Sequence, residues 1–151
     1  MIEVIQGDLL KHKTDILVHG VNCRGKMASG IALAIRKLYP KVYTDYIEMW
    51  SRYYREPEFL LGKVIYTEIN SGLIIASAFT QLNYGYNGKR YVSYDAVDTA
   101  FADINHKAVE LNMIIKFQMI GCGLGGGNWK DVDSIIEKVY PEVIACRLPN
   151  S

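Results

Sequence analysis

Cysteine is scarce in this 151-residue chain, and so are the patterns that would tie it to metals or disulfides. Cys23, Cys122 and Cys146 are an odd number set far apart, and no CxxC pair or cysteine–histidine cluster falls at metal-ligand spacing. A zinc module and a disulfide scaffold are thereby excluded, and no metal is expected. The three thiols are read as reduced, which points to a reducing compartment and a cytoplasmic location. Charge of one sign is also lacking: 17 Lys and Arg stand against 16 Asp and Glu. There is no global field to draw in nucleic acid or an anionic membrane, although a local patch is left open. No apolar run approaches the roughly 20 residues of a membrane span. The opening MIEVIQGDLL has no basic stretch followed by a long apolar one, so no signal peptide is visible. Internal repeats, low-complexity tracts and linkers rich in Pro, Gly and Ser are missing as well. A single domain over residues 1–151 is the economical expectation.

What is present is an alternation of strand and helix patterns. Glu3 to Gln6 alternates weakly as a short strand, and Asp15 to His19 is an apolar run of the buried-strand kind. Ala28 to Leu38 carries apolar residues at helical spacing until Pro40, which suits the first turn of a second helix through Tyr43, Tyr46, Ile47 and Trp50. Lys63–Ile69 and Leu73–Phe79 read as strands joined by a tight turn at Asn70-Ser71-Gly72. Tyr94–Leu111 reads as a long amphipathic helix whose stripe is Val97, Phe101, Ile104, Ala108 and Leu111. Met113–Ile120 is a further buried strand, Val132–Val139 a helix, and Val143–Leu148 a last strand. This order predicts an α/β domain with a mixed, mostly parallel sheet between helical layers. In such sheets ligands sit in the crevice outside the carboxyl ends of the strands.

Two junctions at such strand ends stand out. The first, His19 to Gly30, carries Gly20, Gly25 and Gly30 and runs into a helix, whose free N–H groups favour an anionic group. The second, Gly121 to Trp129, places five glycines within residues 121–127. Neither is a Walker loop, since no Gly-Lys-Ser/Thr follows the glycines, and neither matches the dinucleotide fingerprint. Each alone is a weak signal for phosphate binding. Together, at equivalent ends of different strands, they read either as a cradle for a pyrophosphate or as close turns.

The succession V-x-x-G-D-L at 4–9, H-G-V-N-C-R-G-x-M-x-S-G-I-A-x-A-I at 19–35 and G-C-G-L-G-G-G-N-W at 121–129 resembles a macrodomain. Support comes from L-Y-P-K-V-Y-T-D-Y at 38–46, L-L-G-K-V at 60–64 and A-F-T at 78–80. The likeness spans nearly the whole chain. It is narrowest to the small stand-alone branch of ADP-ribose-1''-phosphate phosphatases and terminal ADP-ribose protein glycohydrolases. It implies a three-layer α/β/α macrodomain that takes ADP-ribose or ADP-ribose 1''-phosphate as its small-molecule ligand, with no cofactor. By the resemblance Asp8 accepts from the adenine amino group, with the Leu9 backbone beside it. The loops carrying Gly25, Ser29, Gly30 and Ile31, and Gly121, Gly123, Leu124, Gly125, Gly126 and Gly127, grip pyrophosphate and distal ribose. Asn22 reaches the ribose hydroxyls. Asp8 read without the family is a turn residue satisfying nearby backbone.

The same resemblance directs the choice of chemistry. The glycohydrolases of this branch use a lysine just after the A-F-T-like strand, able to form a Schiff base with the opened ribose, and in some members an aspartate in the second glycine loop. Here Gln81 and Gly125 stand at those places, so that route is missing unless Lys26 or Lys89 supplies the amine. The phosphatase members carry a histidine at the end of the second strand, and His19 occupies that place. The expected function is therefore metal-independent hydrolysis of ADP-ribose 1''-phosphate to ADP-ribose and phosphate, with His19 as general base or nucleophile and Asn22 beside it. The plain alternative makes His19 a strand-end histidine bonded to backbone. Non-catalytic binding of ADP-ribose-derived metabolites, or glycohydrolysis of modified protein or nucleic acid, are the competing functions. Tyr94 and Asp95, at the start of the long helix, either face the cleft or cap the helix. Cys23 reads as structural, because little beside it would lower its pKa. The aromatic loop Tyr84 to Gly88 is either a lid or a surface turn. In the last strand, where relatives offer an aromatic platform for adenine, Arg147 stands after Ala145-Cys146; either it stacks on the base instead or adenine is held less tightly.

Overall fold

The computed structural model describes residues 3–6, 16–27, 30–70, 72–84, 91–118 and 143–147. In chain order its elements are strands β1 (Glu3–Gln6) and β2 (Ile16–Asn22), helices α1 (Gly30–Leu38) and α2 (Pro40–Tyr53), a 3₁₀ turn at Pro57–Leu60, strands β3 (Val64–Asn70) and β4 (Leu73–Gln81), helix α3 (Tyr94–Leu111), and strands β5 (Ile115–Gln118) and β6 (Val143–Arg147). They form a six-stranded sheet in the order β1-β6-β5-β2-β4-β3. Every pairing is parallel except that of edge strand β3 with β4. The mixed, mostly parallel sheet between helical layers is the architecture that the strand–helix alternation predicts.

The two faces of β2 and β4 build two cores. Ile16 and Val18 of β2 and Ile74, Ala76 and Ala78 of β4 pack beneath Val97, Ala100, Phe101, Ile104 and Ala108 of α3. Leu17 and Val21 of β2 and Ile75 and Phe79 of β4 pack beneath Ile35 of α1 and Val42 and Tyr46 of α2. Both faces are covered, and that is why β2 reads as a continuous apolar run rather than an alternation. The α3 stripe falls at spacings of three and four residues, as an amphipathic helix requires. Its last expected member, Leu111, is 41% exposed, because the stripe has turned off the sheet by the final turn.

Local signals explain the helix ends. Pro40 takes the first turn of α2, where its missing N–H costs nothing. Ser93 caps α3 by accepting from the Ala96 N–H at 3.2 Å, and Asp95 lies in the first turn, where the helix dipole favours a carboxylate. Asn112 ends α3 in the left-handed conformation, φ 54°, one that asparagine tolerates.

The structure departs from the sequence expectation most usefully in β2. The strand runs on to Asn22 rather than stopping at His19, because Gly20, Val21 and Asn22 continue to pair with β4. Gly20 reads in sequence as a break, yet a parallel neighbour holds it in the ladder. His19 is thus a mid-strand residue. The last strand is described over Val143–Arg147, and the expected helix Val132–Val139 lies outside the described residues. No helix among the described residues is long and apolar enough to cross a membrane.

Gly62 fixes the turn into β3. Its φ is +86°, and a Cβ there would lie 3.0 Å from Cγ2 of Thr99 on α3. Gly62→Ala is expected to lower unfolding free energy by about 1–3 kcal/mol in urea titrations. Gly72→Ala, where the nearest atom to an added Cβ is 3.7 Å away, is expected to stay within about 0.5 kcal/mol.

Candidate functional site at the carboxyl ends of β2 and β4

The sheet order places the crevice. From β2 the chain moves through α1 and α2 to β3 and β4 on one side, then returns through α3 to β5 on the other. The point where the direction reverses is the carboxyl end of β2, and there the first glycine loop begins.

This loop is built around one side chain. Asn22 is 8% exposed, and its Oδ1 accepts from the Arg24 N–H at 3.0 Å, the Lys26 N–H at 3.3 Å and the Tyr46 hydroxyl at 3.0 Å. Its Nδ2 donates to the Lys26 carbonyl at 2.8 Å. The chain therefore folds back on the carboxamide, as asparagine-led turns do. Helix α2 supports it from below. The Tyr46 hydroxyl also donates to the Asn22 carbonyl at 2.7 Å, and one turn further on Trp50 Nε1 donates to the Cys23 carbonyl at 3.1 Å. Gly25 has φ +79°, and a Cβ there would sit 3.1 Å from the Trp50 ring. Glycine is required at this position by both conformation and space.

A second loop closes on the first. The Cys23 N–H donates to the carbonyls of Gln81 and Leu82 at 3.0 and 3.3 Å. Above it Arg24 Nε donates to Asn83 Oδ1 at 2.7 Å, and Gln81 Nε2 donates to the Asn83 carbonyl at 2.8 Å. Burial pushes the Cys23 thiol up to about 12, against an opposing pull from the Arg24 charge. The thiol stays protonated at neutral pH, which suits a packed residue and not a nucleophile.

His19 differs from the expectation of a general base. It shares a face of β2 with Leu17 and Val21 and is fully buried. Its Nε2 lies 2.7 Å from Oγ of Ser77, its register partner on β4, while Nδ1 has no partner among the described residues. Burial drives its pKa down to about 3. An imidazole so weakly basic and so enclosed takes up a proton poorly at neutral pH. The histidine is a polar core residue, joined to the neighbouring strand through a side chain rather than through backbone. Asn22, expected to reach ribose hydroxyls, has its carboxamide committed to the loop, with one Nδ2 proton left over.

Of the other expected site residues, Gly25 lies in the loop, Gly30 opens α1 and Ile31 is half-buried in its first turn. Asp95 is exposed and Tyr94 half-buried at the start of α3. Arg147 ends β6, level with Gln6 of β1, and its side chain lies outside the described residues. So do Asp8, Leu9, Ser29 and the second glycine loop with Gly121, Gly123, Leu124, Gly125, Gly126 and Gly127. Among the described residues no group of His, Cys, Asp or Glu could hold a metal ion. The residues that sequence reasoning missed are Tyr46, Trp50, Ser77 and Asn83, together with the bridging role of Arg24. Tyr46 and Trp50 carry a signal, their spacing of four on one helix face. Ser77 and Asn83 carry none.

An α/β/α sandwich with a glycine loop at the reversal point of its sheet defines a nucleotide-crevice class of domain. Within that class the chain belongs to the macro domain family, whose model matches residues 18–136. A Mycobacterium tuberculosis protein named DNA ADP-ribosyl glycohydrolase is 30% identical over 158 aligned residues, spanning 100% of this chain and 43% of that protein. The chain thus spans less than half the length of that relative. A Candida albicans protein named ADP-ribose 1''-phosphate phosphatase is 29% identical, covering 91% of this chain and 93% of that one. Among solved structures, the macrodomain of Mycobacterium tuberculosis DarG superposes with a TM-score of 0.78 at 30% identity, over 100% of this chain and 99% of that one.

The buried imidazole makes stability depend on pH. Folded His19 protonates near pH 3 and the unfolded residue near 6.5, so between these values the unfolded chain binds more protons. Stability therefore rises with pH across that window and is lost on acidification. Below about pH 6.5 this residue is expected to contribute a loss of about 1.4 kcal/mol per pH unit. Urea unfolding of the native chain and His19→Gln from pH 7 to pH 4 checks this. The variant is expected to show the smaller slope, and equal slopes would remove His19 as the cause.

Proposed function

We propose that the chain binds an ADP-ribosyl compound in the crevice at the carboxyl ends of β2 and β4, and that it hydrolyses the phosphomonoester of ADP-ribose 1''-phosphate. The observation that carries the choice of reaction is Gln81. The residue after Thr80 is a carboxamide held by the Asn83 carbonyl at 2.8 Å, and a carboxamide cannot form the Schiff base for which the resemblance assigns a lysine in the glycohydrolase branch. The Candida albicans relative, of matching extent, bears the phosphatase name.

The chemistry suits a site with little covalent equipment. Phosphoryl transfer to water is promoted mainly by positioning and by stabilising charge on the phosphoryl oxygens. The amides of Arg24 and Lys26 are committed to Asn22. The first-turn amides of α1, which opens at Gly30, have no intrahelical acceptor and favour an anion. His19 serves this reading as framework, holding β2 to β4 beneath the loop. The resemblance assigns adenine to Asp8 and Leu9 and the pyrophosphate to the second glycine loop, and these assignments stand as part of the proposal.

A second reading, release of ADP-ribose from modified DNA, draws on the name of the mycobacterial relative, which is 30% identical over 100% of this chain. Calorimetric titration with ADP-ribose, then assays of phosphate release from ADP-ribose 1''-phosphate and of ADP-ribose release from ADP-ribosylated DNA, separate the two. Micromolar binding with phosphate release is the expected result. Binding with release from DNA alone transfers the activity to the glycohydrolase reading. Binding with neither leaves a reader of ADP-ribosyl metabolites, and no heat removes the ligand assignment.

A further inference from the structure

Arg24 has a setting that loop-shaping does not account for. It lies two positions beyond the end of β2, exposed, with Nε on Asn83 Oδ1 at 2.7 Å. Asn83 lies two positions beyond the end of β4 and also takes Gln81 Nε2 on its carbonyl. One residue thus receives a donor from each strand end, and beneath it the Cys23 N–H already closes the two loops together. The guanidinium is anchored across the lip of the crevice, at a point where the backbone below is fixed.

The anchor is neutral. A carboxylate at position 83 would have cancelled the charge, and asparagine leaves it whole. Among the described residues the ion pair formed on the surface is Arg52 with Glu48, and no carboxylate pairs with Arg24 or with the exposed Lys26 in the same loop. With Nε occupied, the two terminal nitrogens of Arg24 remain directed by a planar group whose rotation is already restricted. That fork matches two oxygens of a phosphomonoester, and prior anchoring reduces the ordering entropy lost on binding. A neutral sugar hydroxyl offers no such partner.

We propose that Arg24, held on Asn83, is the specificity-determining cation of this crevice, gripping the terminal phosphomonoester of the ligand and so favouring the phosphorylated ADP-ribosyl compound over its unphosphorylated product. This rests on the ligand proposed above. It adds a consequence for turnover: once the phosphate is cleaved from the sugar, the product has lost its contact with the guanidinium and leaves more readily.

The test compares two ligands across variants of the full chain. KM for ADP-ribose 1''-phosphate is measured from initial rates of phosphate release, or its Kd by calorimetry where no phosphate is released, beside the Kd for ADP-ribose. Arg24→Gln is expected to raise the first about tenfold and the second much less. Arg24→Lys restores part of the preference, since the charge returns without the fork. Asn83→Ala, which releases the anchor and keeps the charge, gives an intermediate loss. The preference in the native chain is expected to shrink with added salt, and that in Arg24→Gln is not. An Arg24→Gln variant with an unchanged ratio of the two constants, or one that weakens both ligands equally, overturns the inference. Failure of the native chain to bind ADP-ribose at all defeats the proposed function itself, before any variant is compared. Binding without phosphate release defeats the phosphatase reading alone, and the Kd ratio still decides the role of Arg24.

Discussion

The carboxamide of Asn22 is the point on which the rest of the site depends. It sits where β2 stops being a strand, and it replaces the ladder's hydrogen bonds with its own: two backbone amides and the Tyr46 hydroxyl on Oδ1, one carbonyl on Nδ2. Nearly buried polar groups left without partners cost about 1–3 kcal/mol each, so this concentration of bonds strongly favours one loop conformation. The left-handed turn at Gly25 and its packing on Trp50 follow from it. Helix α2 therefore does two jobs. It closes one core with Val42 and Tyr46, and it supplies the polar tips of Tyr46 and Trp50 that carry the loop.

Burial of the sheet on both faces sets the electrostatics of what lies inside it. Desolvation dominates the shifts of both His19 and Cys23: it lowers the imidazole and raises the thiol, disfavouring the charged form in each case. Groups that look reactive in the sequence are in this way kept neutral. Among the described residues of the loop the charge resides at the lip, in the exposed Arg24 and Lys26. Among the described residues a division of labour results, with a neutral, buried floor made by β2, β4 and α2 and a cationic, exposed rim.

Much of the architecture was legible in the residues. The apolar runs of β2 and β4, the i, i+3, i+4 stripe of α3, Pro40 at a helix start and Ser93 before another are local signals, and the structure follows them. The first glycine loop was legible only as a candidate, since glycines between a buried strand and a helix serve a close turn as well as a phosphate cradle. The role of His19 was not legible. A histidine followed by glycine looks like a strand end, and only pairing with Ala78, Phe79 and Gln81 of β4 carries the strand three residues further. That extension moves the imidazole from the rim to the core.

The amino-acid sequence by itself determined the element order, the parallel sheet between helical layers and the position of the first loop, because periodicity, capping and glycine content act over a few neighbouring residues. Only the tertiary structure decided which side chains share the crevice. Tyr46 lies 24 positions from Asn22, Ser77 lies 58 from His19 and Asn83 lies 59 from Arg24. Contacts at such separations depend on strand order and register, which no local pattern encodes, and they set the burial that keeps one histidine neutral and the neutral anchor that leaves one arginine charged.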